Sequence, residues 1–225
     1  MSQESKSPTL NTDQWNENAT VLVESPLARF HRSLMVGRAR LEELLTDRTA
    51  RVLDLGCGSG PFLAYFASRG FKEIYGVEPE EALIAKIPEL LRSQVKPDKA
   101  EKLSFGDDFF DAVFVYCVLH HLKGDEAYRQ ACAEIERVTK PGGLVFVIEP
   151  GRYRTFLAVE AASAVLGLVS KTFRALYATM VEERPEQHHF LRNHHVVREE
   201  LERYGFKPIV DDYCIYSWIY TARKL

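Results

Sequence analysis

Apolar positions along this chain fall into short runs that alternate with stretches of helical spacing. Arg51–Leu55 is one such run, and Gly56-Cys-Gly-Ser-Gly60 follows it directly. Pro61 suits the first turn of a helix, where its missing N–H costs nothing. The helix it opens runs from Phe62 to Arg69 and stops at Gly70, a residue free to take positive φ. Ile74–Val77 predicts a second strand ending at Glu78. Leu83, Ile84, Ile87, Leu90 and Leu91 then carry a helical spacing that Pro88 interrupts. A short strand is expected near Val95. Asp111–Cys117 is nearly continuous in apolar residues, the pattern of a strand covered on both faces. A helix over about Asp125–Val138, a turn at Lys140–Gly143 and a strand at Leu144–Ile148 follow.

This alternation predicts an α/β fold, a doubly wound and mostly parallel Rossmann-like sheet. Ligands in such sheets bind beyond the carboxyl ends of the strands. Residues 1–14 are polar and expected to be disordered. Trp15–Leu45 reads as helical, with Leu34, Leu41, Leu44 and Leu45 at helical spacing. Thr155–Met180 reads as one long helix. It carries Phe156, Val159, Leu166, Val169, Phe173, Leu176 and Met180 on one face and Glu160, Lys171 and Arg174 opposite. Val196–Tyr204 is a further helix ended by Gly205, and Lys207–Val210 and Tyr213–Thr221 are strand-like. The expected organisation is one domain over residues 15–225 with a helical insertion at about 152–195.

Hydrophobic residues make up 46% of the chain and charged residues 27%, enough for a real core. A net charge of -3 gives no overall basic field that would recommend nucleic acid as a partner. The N-terminus lacks the apolar region of a secretory signal. No stretch reaches the roughly 18 apolar residues of a membrane span. Cys57, Cys117, Cys132 and Cys214 are scattered without metal-type pairing. A reduced, cytoplasmic location is expected.

The strongest chemical signal is Val52-Leu-Asp-Leu-Gly-Cys-Gly-Ser-Gly60, a strand feeding a glycine-rich turn feeding a helix. Glycines let the backbone approach a ligand closely. Glu78, at the tip of the next strand, can accept hydrogen bonds from both hydroxyls of a ribose. Dinucleotide sites use G-x-G-x-x-G, whereas here the turn is G-x-G-x-G followed by Pro61. The absence of a following phosphate-binding lysine argues against a Walker-type loop. The bland alternative is an ordinary glycine-rich turn.

VLDLGCGSG, GVEPEEAL, FDAVFVYCVLHHL and KPGGLVFVIEP occur in this order. In these motifs the chain resembles the class I S-adenosylmethionine-dependent methyltransferases, within the broad group whose fourth strand ends in L-H-H-L. The resemblance covers about Arg51 to Pro150 and implies a sheet whose last strand is antiparallel. It implies S-adenosylmethionine as cofactor and a transferred methyl group. On this resemblance Asp54, Gly56 and Gly58 form the loop under the methionine part, with Gly60 nearby and Cys57 also among the cofactor-binding residues. Glu78 holds the ribose, Pro79 flanks the adenine, and Tyr116 offers its backbone carbonyl to the cofactor's amino group. Asp98 and Glu101 are candidates for the adenine amino group.

Methyl transfer from a sulfonium needs alignment and exclusion of water, and a base where the acceptor must lose a proton. His120 and His121 are the candidate bases, against the alternative that they only line the pocket. His188, His189, His194 and His195, with Glu183 and Glu186, could be weighed as a metal cluster. Solvated or substrate-facing histidines are the plainer reading, and no metal is expected. The 155–180 segment reads as a lid, or equally as a helix completing the core or a dimer contact; weak membrane-surface association is a minor alternative. Arg152, Tyr153 and Arg154 could meet an anionic group or form an exposed loop. The expected acceptor is a small molecule, methylated on O, N or C. The rivals are a protein or RNA acceptor and a cofactor-binding regulator without turnover.

Overall fold

The structure is a computed structural model that describes residues 26–214 and 217–225. The expected disorder of residues 1–14 and the start of the first helix at Trp15 lie outside the described residues. Among the described residues, seven strands form one sheet: β1 (Val52–Leu55), β2 (Ile74–Val77), β3 (Val95–Lys96), β4 (Phe110–Tyr116), β5 (Thr139–Pro150), β6 (Phe206–Cys214) and β7 (Ser217–Lys224). Their order is β3-β2-β1-β4-β5-β7-β6. The pairs among β1 to β5 are parallel, and β7 runs antiparallel to both β5 and β6.

Successive side chains on a strand point to opposite faces. Leu53, Leu55, Val113 and Val115 therefore enter one core, with Tyr128, Ile135, Val197 and Leu201. Val52, Ala112, Phe114 and Phe146 enter the other, with Met35, Phe62 and Phe66. The first core is covered by α6 (Asp125–Val138) and α10 (His195–Arg203). The second is covered by α1 (Pro26–Arg38) and α3 (Pro61–Ser68). Covering both faces is why β4 and β5 read as unbroken apolar runs. Each such buried side chain contributes on the order of 1.5–3 kcal/mol of transfer free energy.

Several boundaries differ from the sequence pattern. The first helical stretch is broken, because Arg40 takes a left-handed φ of 56° between α1 and α2 (Leu41–Leu44). Pro88 separates α4 (Glu81–Ile84) from α5 (Glu89–Arg92), as expected. Lys140–Gly143 is not a turn outside the sheet. It lies within β5, where the pairing with β4 shifts register between Phe110 and Ala112 and Gly142 takes φ 79°. Tyr213 and Cys214 belong to β6 rather than to the last strand.

The largest correction concerns residues 155–180. They form two helices, α7 (Tyr153–Leu166) and α8 (Lys171–Glu182), and α9 (Arg184–Asn193) follows. The break falls at Gly167, where a Cβ would lie 2.9 Å from the Ser163 carbonyl and 3.1 Å from Arg174 Cα. Only glycine lets α8 fold back so closely on α7. The presumed apolar face is split as a result: Phe156 and Met180 are buried, while Val169 is 86% exposed. Glu160, expected on the polar side, is buried and pairs with Arg184.

Candidate active site

The tips of β1, β2 and β4 come level, since Leu55 pairs with both Val77 and Val115. The turn after β1 is fastened to the end of β2, because the amides of Gly56 and Cys57 both donate to the Val77 carbonyl at 2.8 and 2.9 Å. Gly56, Gly58 and Gly60 take φ of 72°, 54° and 85°. Two of them need glycine for different reasons. A Cβ on Gly56 would meet Val118 Cγ2 at 2.4 Å, whereas one on Gly58 would enter open space. Gly58 thus leaves a cradle at the strand tip that a side chain would fill.

Glu78 is buried at the edge of this cradle. Its Oε2 accepts the Gly58 amide at 2.9 Å and its Oε1 accepts the Glu80 amide at 3.0 Å. A carboxylate has about four acceptor positions, so each oxygen keeps capacity for a further donor such as a ribose hydroxyl. Burial raises the Glu78 pKa against the pull of these two amides. Asp54 is buried beneath the turn, and its Oδ2 has no hydrogen-bond partner among the described residues. Burial, and then the nearby Glu78, push the Asp54 pKa up to about 8. An orphaned carboxyl oxygen, an open glycine cradle and a carboxylate with spare acceptor capacity together fit a polar, cationic nucleoside ligand such as S-adenosylmethionine.

The remaining residues expected at this site divide. Cys57 is buried in the turn, and burial pushes its thiol well above the ordinary range. Pro79 is exposed beside Glu78. Asp98 turns its Oδ2 toward Ser104, accepting from the amide at 2.8 Å and the hydroxyl at 2.7 Å, so that carboxylate also braces its own loop. Glu101 is half-buried in the same loop. Tyr116 ends β4, and its hydroxyl lies 2.8 Å from His31 Nδ1. His31, whose Nε2 is 3.2 Å from Ser217 Oγ, ties α1 to the strand ends. No sequence signal had singled it out.

Beyond Tyr116 the chain leaves the sheet through Cys117, at φ 56°. A non-glycine residue there costs roughly 1–2 kcal/mol. The conformation is held by the Cys117 amide on the Ile148 carbonyl and by Glu149. Glu149 Oε1 accepts the amides of Val118 and Leu119, both at 2.7 Å. Its Oε2 accepts from His120 Nδ1 at 2.7 Å. His120 Nε2 faces Glu183 Oε2 at 3.6 Å. Burial opposes the charged imidazolium, but Glu149 and Glu183 outweigh it and raise the His120 pKa to about 9. His121 is exposed at its edge, yet packing around its ring and the adjacent His120 lower its pKa to about 4. Of the candidate bases, His121 is the neutral imidazole and His120 the charged one.

Glu149 was not singled out in the sequence, although a charged residue ending the apolar run Leu144–Ile148 was a usable signal for it; Glu183, weighed there with the later histidines, instead faces His120 and His121. The other histidines are dispersed. The His188 ring stands 6.2 Å from that of Phe156, His189 Nε2 is 3.2 Å from Asp125 Oδ1, and His194 Nε2 is 2.8 Å from the Tyr213 hydroxyl. Arg152 lies over the Tyr213 ring, and Arg154 is exposed. Among the described residues, no helix is long and apolar enough to cross a membrane.

Comparison with known proteins agrees with this geometry. Residues 53–147 match the family described as "Methyltransferase domain". An uncharacterized methyltransferase of Schizosaccharomyces pombe is 39% identical over 111 residues, 44% of this chain and 39% of that protein. A tRNA (carboxymethyluridine(34)-5-O)-methyltransferase of Arabidopsis thaliana is 35% identical over 96 residues, 43% of this chain and 23% of that protein. A ubiquinone/menaquinone biosynthesis C-methyltransferase of Burkholderia orbicola is 34% identical over 106 residues, 44% of this chain and 42% of that protein. The chain thus spans less than half the length of these relatives. The crystal structure of the PH0226 protein from Pyrococcus horikoshii superposes with a TM-score of 0.69 at 21% identity, covering 93% of this chain and 99% of that one.

The fold is therefore the class I, Rossmann-like α/β fold with an antiparallel last strand. The stretch that builds the glycine turn, Glu78 and the His pair is the part of the chain that matches the methyltransferase-domain family.

Proposed function

We propose that this protein is an S-adenosylmethionine-dependent methyltransferase acting on an O, N or C atom of a small-molecule acceptor. The observation that carries the reading is the 2.9 Å bond from the Gly58 amide to Glu78, with Val118, two residues before His120, packed against Gly56 of the same turn. Asp54, Gly56 and Gly58 would hold the methionine end of the cofactor, and Glu78 the ribose. When bound, the cofactor supplies a methyl group already activated on sulfonium. The chain's own task is to align the acceptor, exclude water and accept a proton where the acceptor carries one. His121, neutral at physiological pH, suits the last role.

Glu183 supports the small-molecule reading, because it reaches His120 from the inserted helices and so brings them over the strand ends. A site covered in this way suits a compact acceptor better than a macromolecule. The quinone-pathway name of the Burkholderia relative points the same way, whereas the Arabidopsis relative's name favours a tRNA acceptor. The test is formation of S-adenosylhomocysteine by the full chain with a panel of phenols, quinols, amines and bulk tRNA. Turnover with a small acceptor is expected. Product with tRNA alone, or cofactor binding without product on any acceptor, contradicts the reading.

A further inference from the structure

His120, His121 and Glu183 bring one ligand atom each to within 4.8 Å of one another. We propose that these three side chains form a divalent-cation site of the zinc class, with an open position toward the cleft. Two imidazoles and one carboxylate are the three-protein-ligand set that leaves zinc a vacancy for water or substrate. The 3.6 Å between His120 Nε2 and Glu183 Oε2 is about the spacing of two ligands that each lie roughly 2.0–2.2 Å from one zinc ion.

The surroundings resemble a supported metal site rather than a chance cluster. A ligating histidine usually donates its second ring N–H to a carboxylate, which fixes the tautomer and leaves the other nitrogen for the metal. His120 does this through Nδ1 to Glu149, whose remaining oxygen is locked by two backbone amides. Glu183 is likewise positioned, accepting from Gln187 Nε2 at 2.6 Å. Two buried carboxylates, Glu149 and Glu183, face this imidazole pair, and a dication supplies positive charge that balances both. The ligands come from two segments far apart in sequence, the end of β4 and the junction of α8 with α9. The ion would therefore pin the inserted helices to the sheet.

The open position takes an acceptor bearing a hydroxyl, phenol or enol. With the ion bound, His121 is a ligand and no longer the proton acceptor; the methyl acceptor's oxygen binds as the anion and its proton leaves to solvent, since a divalent metal lowers the pKa of an oxygen ligand. This last assignment rests on the proposed methyltransferase reading; the cation site itself does not.

The test uses the purified full chain, stripped with a chelator and titrated with Zn2+ alone by calorimetry. Co2+ is substituted in parallel, and its visible absorption reports tetrahedral geometry. One zinc per chain is expected, together with a tetrahedral cobalt spectrum. His121→Ala, which removes an exposed side chain, should weaken zinc at least tenfold and abolish that spectrum. Glu149→Gln should weaken it about 10- to 100-fold, as loss of a supporting carboxylate does. No zinc binding below about 100 µM by the parent protein, or equal affinity in His121→Ala and Glu183→Gln, overturns the proposal. Neither outcome depends on S-adenosylmethionine, so failure here leaves the methyltransferase reading standing.

Discussion

Glu149 Oε2 lies 2.7 Å from His120 Nδ1, while the other oxygen of the same carboxylate receives two backbone amides. A fully buried side chain at the tip of β5 thus organises the whole exit from β4. Glu149→Ala would strand two buried donors, the Leu119 amide and His120 Nδ1, and the half-buried Val118 amide. The expected loss is about 3–5 kcal/mol of folding stability, the scale of removing one partner from a buried pair. Urea denaturation checks it. A loss under about 1 kcal/mol would show that water or rearrangement replaces the carboxylate.

Gly56 and Gly58 separate folding from binding. Gly56→Ala places a methyl group against Val118 in a left-handed conformation, so stability should fall by more than the roughly 1–2 kcal/mol of the conformation alone. Gly58→Ala meets nothing within 4 Å and pays the conformational cost only. Its methyl group enters the cradle, however, so cofactor affinity should drop about tenfold or more, roughly 1.4 kcal/mol. Melting curves and calorimetry on the two variants test the contrast. Equal effects on both quantities in both variants would contradict it.

Asp54 makes binding pH-dependent. Its pKa is raised to about 8 in the folded chain, first by burial and then by Glu78, against about 3.9 in an unfolded chain. Between those values the native state holds a proton that the unfolded state has released. Its contribution to stability is therefore full below about pH 4, declines as pH rises, and is lost above about pH 8. S-adenosylmethionine brings two cationic groups, which favour ionised Asp54. Binding at pH 7 should therefore release a proton, seen as a binding enthalpy that varies with the buffer's ionisation enthalpy. Asp54→Asn should remove that variation. Buffer-independent enthalpy in the parent protein would rule the linkage out.

The core of the site was readable because its signals are local. A strand, a glycine turn and an acid at the next strand tip need only short windows of sequence, and the parallel pairing of β1 with β2 then brings Gly58 to Glu78. Glu149 escaped because its role depends on β5 lying beside β4, where Tyr116 pairs with Ile148. Glu183 depends on how the inserted helices dock, which no periodicity encodes. The same limit explains the misread 155–180 segment. Its spacing suits one continuous helix, but Gly167 permits a fold-back that buries Glu160 and exposes Val169.

Binding of S-adenosylmethionine to the parent protein and to Glu78→Ala, measured by calorimetry, tests the central claim most directly. The account predicts clear binding by the parent chain and a loss of about 1–3 kcal/mol in the variant, the worth of hydrogen bonds to a charged group, or roughly 5- to 150-fold in Kd. Identical dissociation constants for the two proteins would remove Glu78 from the site and contradict the account.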